Sequence, residues 1–581
     1  MGSELGVTGD SKSQANLSPV SVWWICYGCI WTFFLCLGIA YMVIHRNSPT
    51  IRIRGLGLML SSIFFLHLYF WSVQFGLCMG NVMPGDAMFW FMGVWLPVGL
   101  SLFYASNARF LHIARLQKKY AYPCSRLPGD SSKFRRQSGL MGRFHRLDYS
   151  SKSFLVVGVL MFVQIGLSVL MYLISRKYHP SWGIPGTEVT GTPMEMKAEQ
   201  GRGWEWWPGI VSQFVWCWII APITLWKARD IHDTQGWRTQ TIACVIAGLP
   251  ATPLWLAAIY ADGMAYMQSV WLPPQWICVS ILVIEIFTIF LPCFEVWKRQ
   301  SLRQDTLDAI AQWEARNKSS SGEGGEAKSL ASGSTAVESI LSAWKSTKGS
   351  IRSDASGESI LTMGALEYVL ERNPAPLQEF SALREFSGEN IAFLTAVAEW
   401  KHSLPVALRD TTAIRDDKVQ ELMREPFNRA LHIYAEYVSP GHAEFPVNVS
   451  HQVLRKLERI FEKPTLLLYG EREEPEPATP FKETFDLDSP ITPDTGDSEK
   501  GLKNSVREIR NLVQYWGDIP EEFDASIFDE SEGSIKYLVL TNTWPKFIKI
   551  HRSSISSAAT LEAGVNVVGL NDERSEKSAR T

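Results

Sequence analysis

One acidic side chain lies deep inside an apolar stretch of this chain. Glu285 stands about midway along 274–297, a run long enough to cross a membrane. A carboxyl group there needs a partner or a proton, because a lone charge in hydrocarbon is costly. His67 lies in an earlier apolar run and is the candidate partner, so Glu285 and His67 form a candidate intramembrane ligand or ion site. The alternative is a protonated Glu285 that hydrogen bonds to a neighbouring helix. A ligand pocket would also include three tryptophans: Trp95, Trp216 and Trp255.

A second group of residues begins a helix in the polar half of the chain, at 380–400. Ser387 is a good N-cap, and Glu389 in the first turn suits the positive end of a helix. Two apolar stripes follow, which predicts a helix buried on two faces. They consist of Ile391, Leu394 and Ala398, and of Phe393, Val397 and Trp400. Asn390, in the first turn, is left to point outward.

The sequence has no pattern of an enzyme active site. Four histidines of the polar half are scattered without metal-ligand spacing: His402, His432, His442 and His451. We find no phosphate loop, nucleophile elbow or HExxH motif. We therefore expect a protein that is not an enzyme and that uses no cofactor, metal ion or nucleic acid.

Seven apolar stretches precede residue 298, and none follows it. A hydrocarbon core of about 30 Å needs about 20 apolar residues of helix, and each stretch meets that length. They lie at 20–44, 55–78, 87–108, 153–175, 207–226, 239–261 and 274–297. The chain is predicted to be all-α, with a seven-helix transmembrane bundle over 20–297.

Lys and Arg are distributed unevenly among the loops that join these stretches. The loops after the first, third and fifth stretches carry seventeen, and the opposite loops carry four, all within 176–206. Basic loops stay in the cytosol, so 1–19 is predicted to be extracellular and the C-terminal half cytosolic. We expect a multi-pass integral membrane protein of the plasma membrane, with membrane lipids as partners.

The region 298–360 has the composition of a cytosolic linker. Its part from 317 to 360 contains thirteen Ser and six Gly, which is typical of a flexible tether. Before that, 301–316 has apolar residues at helical spacing, which fits an extension of the seventh helix or a helix on the membrane. The second globular domain is predicted over 361–552, followed by a disordered tail over 553–581.

Three blocks of this second domain resemble the regulator-of-G-protein-signalling (RGS) family. The family's hallmark is an aromatic residue, Ser, any residue, Glu, Asn and Ile or Leu at the start of a helix, followed by Phe and Trp. Here the block is Phe386-Ser-Gly-Glu-Asn-Ile391, with Phe393 and Trp400. Two later blocks agree, FNRALHIYAEYVSPG at 427–441, with VNV at 447–449, and IKYLVLTNTWPKFIK at 535–549. The resemblance implies an all-helical domain over 361–552.

An acidic insertion interrupts the resemblance. From 464 to 505 the sequence has ten acidic residues against four basic ones, with five prolines after Pro464, which predicts a disordered loop. Three hydroxyl residues there precede proline and are candidate phosphorylation sites: Thr479, Ser489 and Thr492. The alternative is a solvated insertion without modification.

RGS domains accelerate GTP hydrolysis by heterotrimeric G-protein α subunits, so the resemblance implies an α subunit as partner. It implies that Asn390 reaches the switch regions and helps to place the catalytic glutamine of the α subunit. The rest of the contact surface would comprise Glu385, Asn448, Leu538, Asn542, Thr543 and Lys546. Asn542 replaces the family's usual aspartate and Lys546 its usual arginine, which alters charge and geometry and bears on partner choice.

The first functional hypothesis is therefore a membrane-tethered GTPase activator that dampens G-protein signalling, with a small-molecule ligand of the seven-helix domain as a further candidate partner. The second is a transporter or channel built around Glu285, with the C-terminal domain as a docking scaffold. The third is a ligand receptor that itself activates the G protein.

Overall fold

The computed structural model describes residues 3–9, 11–46, 48–121, 149–179, 181–320, 361–405, 417–470 and 514–550. Within these ranges the chain is helical and forms no β-strand, apart from an isolated bridge between Ser175 and Ile184. The described residues form two compact units. The first unit holds those up to Leu116 and those of 149–297, and the second holds 117–121 and those from Lys298 onward.

Seven of the described helices are long and apolar enough to cross a membrane, as the sequence predicts. We number them as spans one to seven: Pro19–Ile44, Leu56–Gln74, Gly85–Ala121, Phe154–Ile174, Pro193–Ala228, Trp237–Tyr260 and Gln275–Asp308. Large apolar side chains stand on their outer surfaces, among them Phe162 with 79% of its surface exposed and Trp226 with 68%. Such exposure fits contact with lipid, in agreement with an integral membrane protein. Shorter helices cover Pro49–Arg54 and Gly76–Met79, and 3-10 turns cover Trp204–Trp206 and Asp262–Ser269.

Two spans contain a π-helical turn that ends just before a proline. The turn Val215–Ile220 precedes Pro222 in span five, and Ile286–Phe290 precedes Pro292 in span seven. Proline lacks an N–H, and its ring clashes with the backbone carbonyl of the residue four positions earlier. In both spans that residue belongs to the π turn, which is wider than an α-helical turn. Span six instead divides at Pro250. The π turn of span seven begins directly after Glu285 and therefore lies beside the candidate intramembrane site.

Span seven occupies the centre of the first unit. Its part Gln275–Glu285 packs against spans two and six, and its π turn packs against span one. Most of the buried side chains between them are apolar, including Leu66, Ile281 and Ile284. Buried polar pairs also occur there, such as Gln240 with Thr288.

The second unit contains the part of helix Leu291–Ser320 from Lys298 onward. Its other helices are Met363–Arg372, Ala375–Phe380, Gly388–Ser403, Asp417–Ile433, His451–Tyr469 and 529–550. Helix Leu291–Ser320 covers 301–316, so span seven does continue as a helix there. Helix His451–Tyr469 passes through Pro464, where the sequence predicts that the acidic insertion starts. The insertion after Gly470 and its candidate phosphorylation sites Thr479, Ser489 and Thr492 lie outside the described residues.

The three blocks identified in the sequence share one aromatic core. Trp400 comes from the first block, Phe427 from the second and Trp544 from the third, and each is at most 2% exposed. Trp400 Nε1 donates to the carbonyl of Pro426 at 2.9 Å, which satisfies the indole inside the core. Both apolar stripes of helix Gly388–Ser403 face this core, as predicted, and only Ala398 is partly exposed.

Candidate functional site

Glu285 forms the centre of a hydrogen-bond network in the first unit. It is fully buried, as is expected from its position, and both carboxyl oxygens have partners. Oε1 lies 2.8 Å from His67 Nδ1, and Oε2 accepts from Trp31 Nε1 at 2.5 Å. His67 Nε2 lies 3.0 Å from Thr32 Oγ1, which also accepts from Trp71 Nε1 at 2.9 Å. We call these five side chains the Glu285 network; it joins spans one, two and seven.

The hydrogen bonds of the Glu285 network determine how many protons it holds. Thr32 Oγ1 donates its only proton to the carbonyl of Gly28 at 2.7 Å, so it accepts from His67 Nε2. His67 therefore carries a proton on Nε2. The remaining contact, between His67 Nδ1 and Glu285 Oε1, needs one proton that either atom holds. The contact is then either a neutral hydrogen bond or an ion pair with the same number of protons.

The sequence named His67 but missed the other three members of the Glu285 network. Trp31, Thr32 and Trp71 sit in apolar runs, where a lone threonine and tryptophan N–H groups carry little signal. The tryptophans proposed for a ligand pocket have other neighbours. Trp255 donates a hydrogen bond to Glu4. The ring of Trp216 stacks on that of Tyr104 with 5.6 Å between the ring centroids, and the ring centroids of Trp95 and Phe91 are 4.5 Å apart.

The residues before Gly388 form a tight turn in the second unit. The π turn Ser381–Glu385 ends at Phe386, which has φ 53°, a left-handed conformation that is unusual for a bulky residue. Ser387 starts the next helix, but its side chain makes no capping bond, contrary to the prediction. Its hydroxyl instead lies 3.1 Å from Ser381 Oγ, and Ser381 Oγ donates to the carbonyl of Ser387 at 2.8 Å. These bonds fix the approach to the helix that carries Asn390.

Asn390 does not point outward in this conformation, which corrects the prediction. Its exposed fraction is 7%, and its Oδ1 has no hydrogen-bond partner among the described residues. The two residues before it are covered by other groups of the same unit. Gln117 Oε1 accepts from Gly388 N at 3.0 Å, and Gln117 Nε2 donates to Glu389 Oε2 at 3.0 Å. An unpartnered buried amide oxygen is costly, and such groups are rare in folded proteins.

A second contact holds the same helix start. Gln378 Nε2 donates to the carbonyls of Tyr120 and Gly388, at 2.7 and 2.9 Å. A Cβ at Gly388 would lie 2.7 Å from the Cβ atoms of both Tyr120 and Ala382, so only glycine fits there. The sequence placed Gln117 and Tyr120 in a basic loop and gave no sign that they meet the first block.

The structure brings together five of the seven predicted α-subunit contacts. Glu385 is buried and pairs with Lys546, whose Nζ lies 2.6 Å from Glu385 Oε2. The final helix presents Leu538, Asn542 and Lys546 at four-residue intervals, which places them on one face, and Thr543 is buried beside Asn542. The side chain of Asn542 is held at both ends, since Nδ2 donates to the carbonyl of Leu538 and Oδ1 accepts from Arg299 Nε, each at 3.0 Å.

The seventh predicted contact, Asn448, is exposed in the segment before helix His451–Tyr469. No group of three or more His, Cys, Asp or Glu side chains that could hold a metal ion occurs in the part of the chain that the structure describes. Glu385, Lys546 and Asn542 each have a partner within the second unit, whereas Asn390 Oδ1 has none among the described residues.

Comparison with known proteins gives no family assignment. No protein-family model, curated protein or solved structure matches this chain.

Proposed function

We propose that this protein is a membrane-tethered regulator of G-protein signalling, which accelerates GTP hydrolysis by heterotrimeric G-protein α subunits and so dampens signalling. The observation that carries the proposal is the pairing of Glu385 from the first block with Lys546 from the third, at 2.6 Å. Blocks 161 residues apart in the chain meet at the residues that the family resemblance assigns to partner contact. Shared core packing of Trp400 and Trp544 supports the same conclusion.

The proposed mechanism requires no catalytic group from this chain. An α subunit carries its own arginine and glutamine for the phosphoryl transfer. A partner that binds the transition-state conformation more tightly than the ground state lowers the barrier to hydrolysis. In the proposal, the Asn390 amide supplies a hydrogen bond to the switch regions; its Oδ1 is unpartnered in the described residues. Glu385, Lys546 and Asn542 fix the surface around it.

The seven spans give the activator a location. G-protein α subunits are anchored to the inner leaflet, so a tethered domain meets them at an effective concentration on the order of millimolar. In this proposal the amino terminus is extracellular, the second unit is cytosolic and the protein lies in the plasma membrane. A small-molecule ligand of the seven spans is a further element of the proposal, and the Glu285 network is the candidate site for it.

Single-turnover GTP hydrolysis tests the proposal. The full-length protein in vesicles, and the 361–552 fragment, are added to α subunits loaded with GTP. We expect faster hydrolysis, and we expect Asn390→Ala to lower the stimulation by about tenfold to hundredfold, because misplaced catalytic groups cost this much. Lys549→Ala is the matched control, since Lys549 is exposed on the same helix as Lys546. An absence of acceleration across all classes of α subunit, with folded protein, rejects the proposal.

A second candidate function, a proton-coupled transporter or channel, is favoured by one observation. Fully buried Glu285 and partly buried His67 are 2.8 Å apart within the seven spans. Transport of protons through this contact would show as proton movement across vesicles that contain the protein and no G protein. Flux that disappears in Glu285→Gln would favour this second candidate, and tight vesicles would count against it.

A further inference from the structure

The N-terminal segment 3–7 is buried inside the first unit. Ser3, Glu4, Leu5 and Val7 are each 2–4% exposed, although they lie outside the spans and form no helix. The sequence treats 1–19 as an extracellular terminus and assigns this segment no contact. Residues 12–17, which connect it to span one, are all exposed. Burial therefore applies to the segment itself and is not imposed by its connection to the chain.

The segment is held by a cradle at the amino end of the bundle, the end at which span one begins. Glu4 Oε2 accepts from Trp255 Nε1 on span six at 2.8 Å, and Glu4 N donates to the carbonyl of Gly201 at 3.0 Å. Ser3 Oγ donates to the carbonyl of Val7 at 2.7 Å, which closes the segment into a turn. The cradle thus fixes both the backbone and the acidic side chain of Glu4.

Small residues of the cradle leave room for the apolar side chain of the segment. A Cβ at Gly76 or at Gly80 would lie 3.0 Å from side-chain atoms of Leu5. Gly6 has φ 69° and a Cβ there would lie 2.9 Å from Leu272 Cδ2, so this position requires glycine. The fit between Leu5, Gly6 and their neighbours is that of a ligand in a shaped site.

The chemistry of the cradle suits an acidic residue in its neutral form. Burial raises the pKa of Glu4 to about 8, although the hydrogen bond from Trp255 opposes the shift. The titratable groups that face Glu4 are the Tyr69 phenol and the Cys278 thiol. A bound carboxyl group is therefore protonated near neutral pH and is better tolerated than a charge would be.

We propose that the amino end of the bundle is a peptide-binding site, and that segment 3–7 is its tethered ligand. The site takes a short turn-forming peptide with a carboxyl side chain followed by leucine and glycine, as in Ser-Glu-Leu-Gly-Val. The exposed residues 12–17 of the connector can by themselves span about 20 Å when extended, so the segment can leave without displacing span one. This inference concerns the first unit and does not depend on the G-protein proposal.

Peptide binding to the full-length protein and to a variant that lacks residues 1–8 tests the inference. We expect a labelled Ser-Glu-Leu-Gly-Val peptide to bind the truncated protein at least about tenfold more tightly than the intact protein, whose site is already filled by a segment of millimolar effective concentration. A peptide with valine in place of glycine is the matched control and should not bind. Binding should weaken as the pH rises from about 5 to about 8, because the bound carboxyl group has the higher pKa.

Two further variants keep the test decisive if the truncated protein does not fold. Gly6→Val in the intact chain should expel the segment and open the site to the labelled peptide. Trp255→Phe in that background removes the donor to the carboxyl group, which should weaken peptide binding by about threefold to tenfold. The inference is overturned if the folded Gly6→Val protein binds the labelled peptide no more tightly than the intact protein does. It is also overturned if that variant binds the labelled peptide no more tightly than it binds the control peptide.

Discussion

Substitutions of Glu285 distinguish a neutral hydrogen-bond network, which stabilises the packing of the helices, from a network that contains a charged carboxylate. Glu285→Ala removes both acceptors at once, whereas Glu285→Gln keeps the shape of the side chain. In the Gln variant the amide oxygen can accept from Trp31 Nε1, and the amide nitrogen can donate to His67 Nδ1. The Gln side chain therefore reproduces the hydrogen bonds of a protonated Glu285.

The expected losses follow from the number of groups left without a partner. Glu285→Ala leaves the Trp31 indole N–H and one nitrogen of His67 unsatisfied in a buried site. Each unsatisfied polar group costs about 1–3 kcal/mol, so the total loss of stability is about 2–6 kcal/mol before any cavity is counted. Glu285→Gln should cost less than Glu285→Ala, because Trp31 and His67 keep their partners and only the second amide N–H is left without one.

Thermal unfolding in one detergent, with Trp31→Phe as a reference, measures these differences. The double variant Trp31→Phe with Glu285→Ala should be less destabilised than the sum of the two single variants, since they share one hydrogen bond. If Glu285→Gln unfolds at the same lowered temperature as Glu285→Ala, the neutral arrangement of the pair is wrong and the network holds an ion pair. Unchanged stability with lost transport or signalling would instead show a functional role for the Glu285 proton.

Three further predictions concern the second unit. Gln117→Ala removes two hydrogen bonds, to Gly388 and Glu389, that cover the two residues before Asn390. Because this uncovers the start of the helix that carries Asn390, we expect GTPase stimulation by the full-length protein to rise by up to about tenfold. Equal stimulation by variant and wild type would contradict this. Glu532 is partly buried, but its bonds to Lys401 and Lys536 outweigh burial and lower its pKa below 4.5. Its stabilising effect is present above pH 4.5 and is lost as the pH falls through that lowered value, so urea unfolding of Glu532→Gln should depend less on pH in acid. Gly388→Ala should lower the unfolding temperature, because its methyl group would meet Tyr120 and Ala382, and Gly364→Ala, which has open space around it, is the control.

The number of spans and their approximate positions could be read from the sequence, because helix length and hydropathy are local properties. All seven predicted runs correspond to described helices. Their ends differ, since span three continues to Ala121 and span seven to Asp308, far beyond their apolar cores. Polar helices of that kind depend on contacts with other parts of the chain, such as the bonds made by Gln117 and Arg299.

The candidate sites were only partly predictable. The suggestion that Glu285 pairs with His67 agrees with the structure, because few other polar groups were available inside the spans. The contacts that cover the start of this helix were not predicted, since Gln117, which bonds Gly388 and Glu389, lies 271 and 272 positions earlier in the chain. The missing capping bond of Ser387 has a more local cause, because its hydroxyl group contacts Ser381 Oγ instead.

The sequence by itself determined that this chain is helical, that it has seven membrane-length runs, and that one motif begins a helix buried on two faces. These features follow from composition and periodicity within about 20 residues. Only the tertiary structure decided that Glu4 enters the bundle to meet Trp255, that Glu285 meets Trp31, and that Glu385 meets Lys546. Each of those pairs is separated by 161 to 254 positions, and their meeting depends on how whole helices pack, which no local pattern encodes.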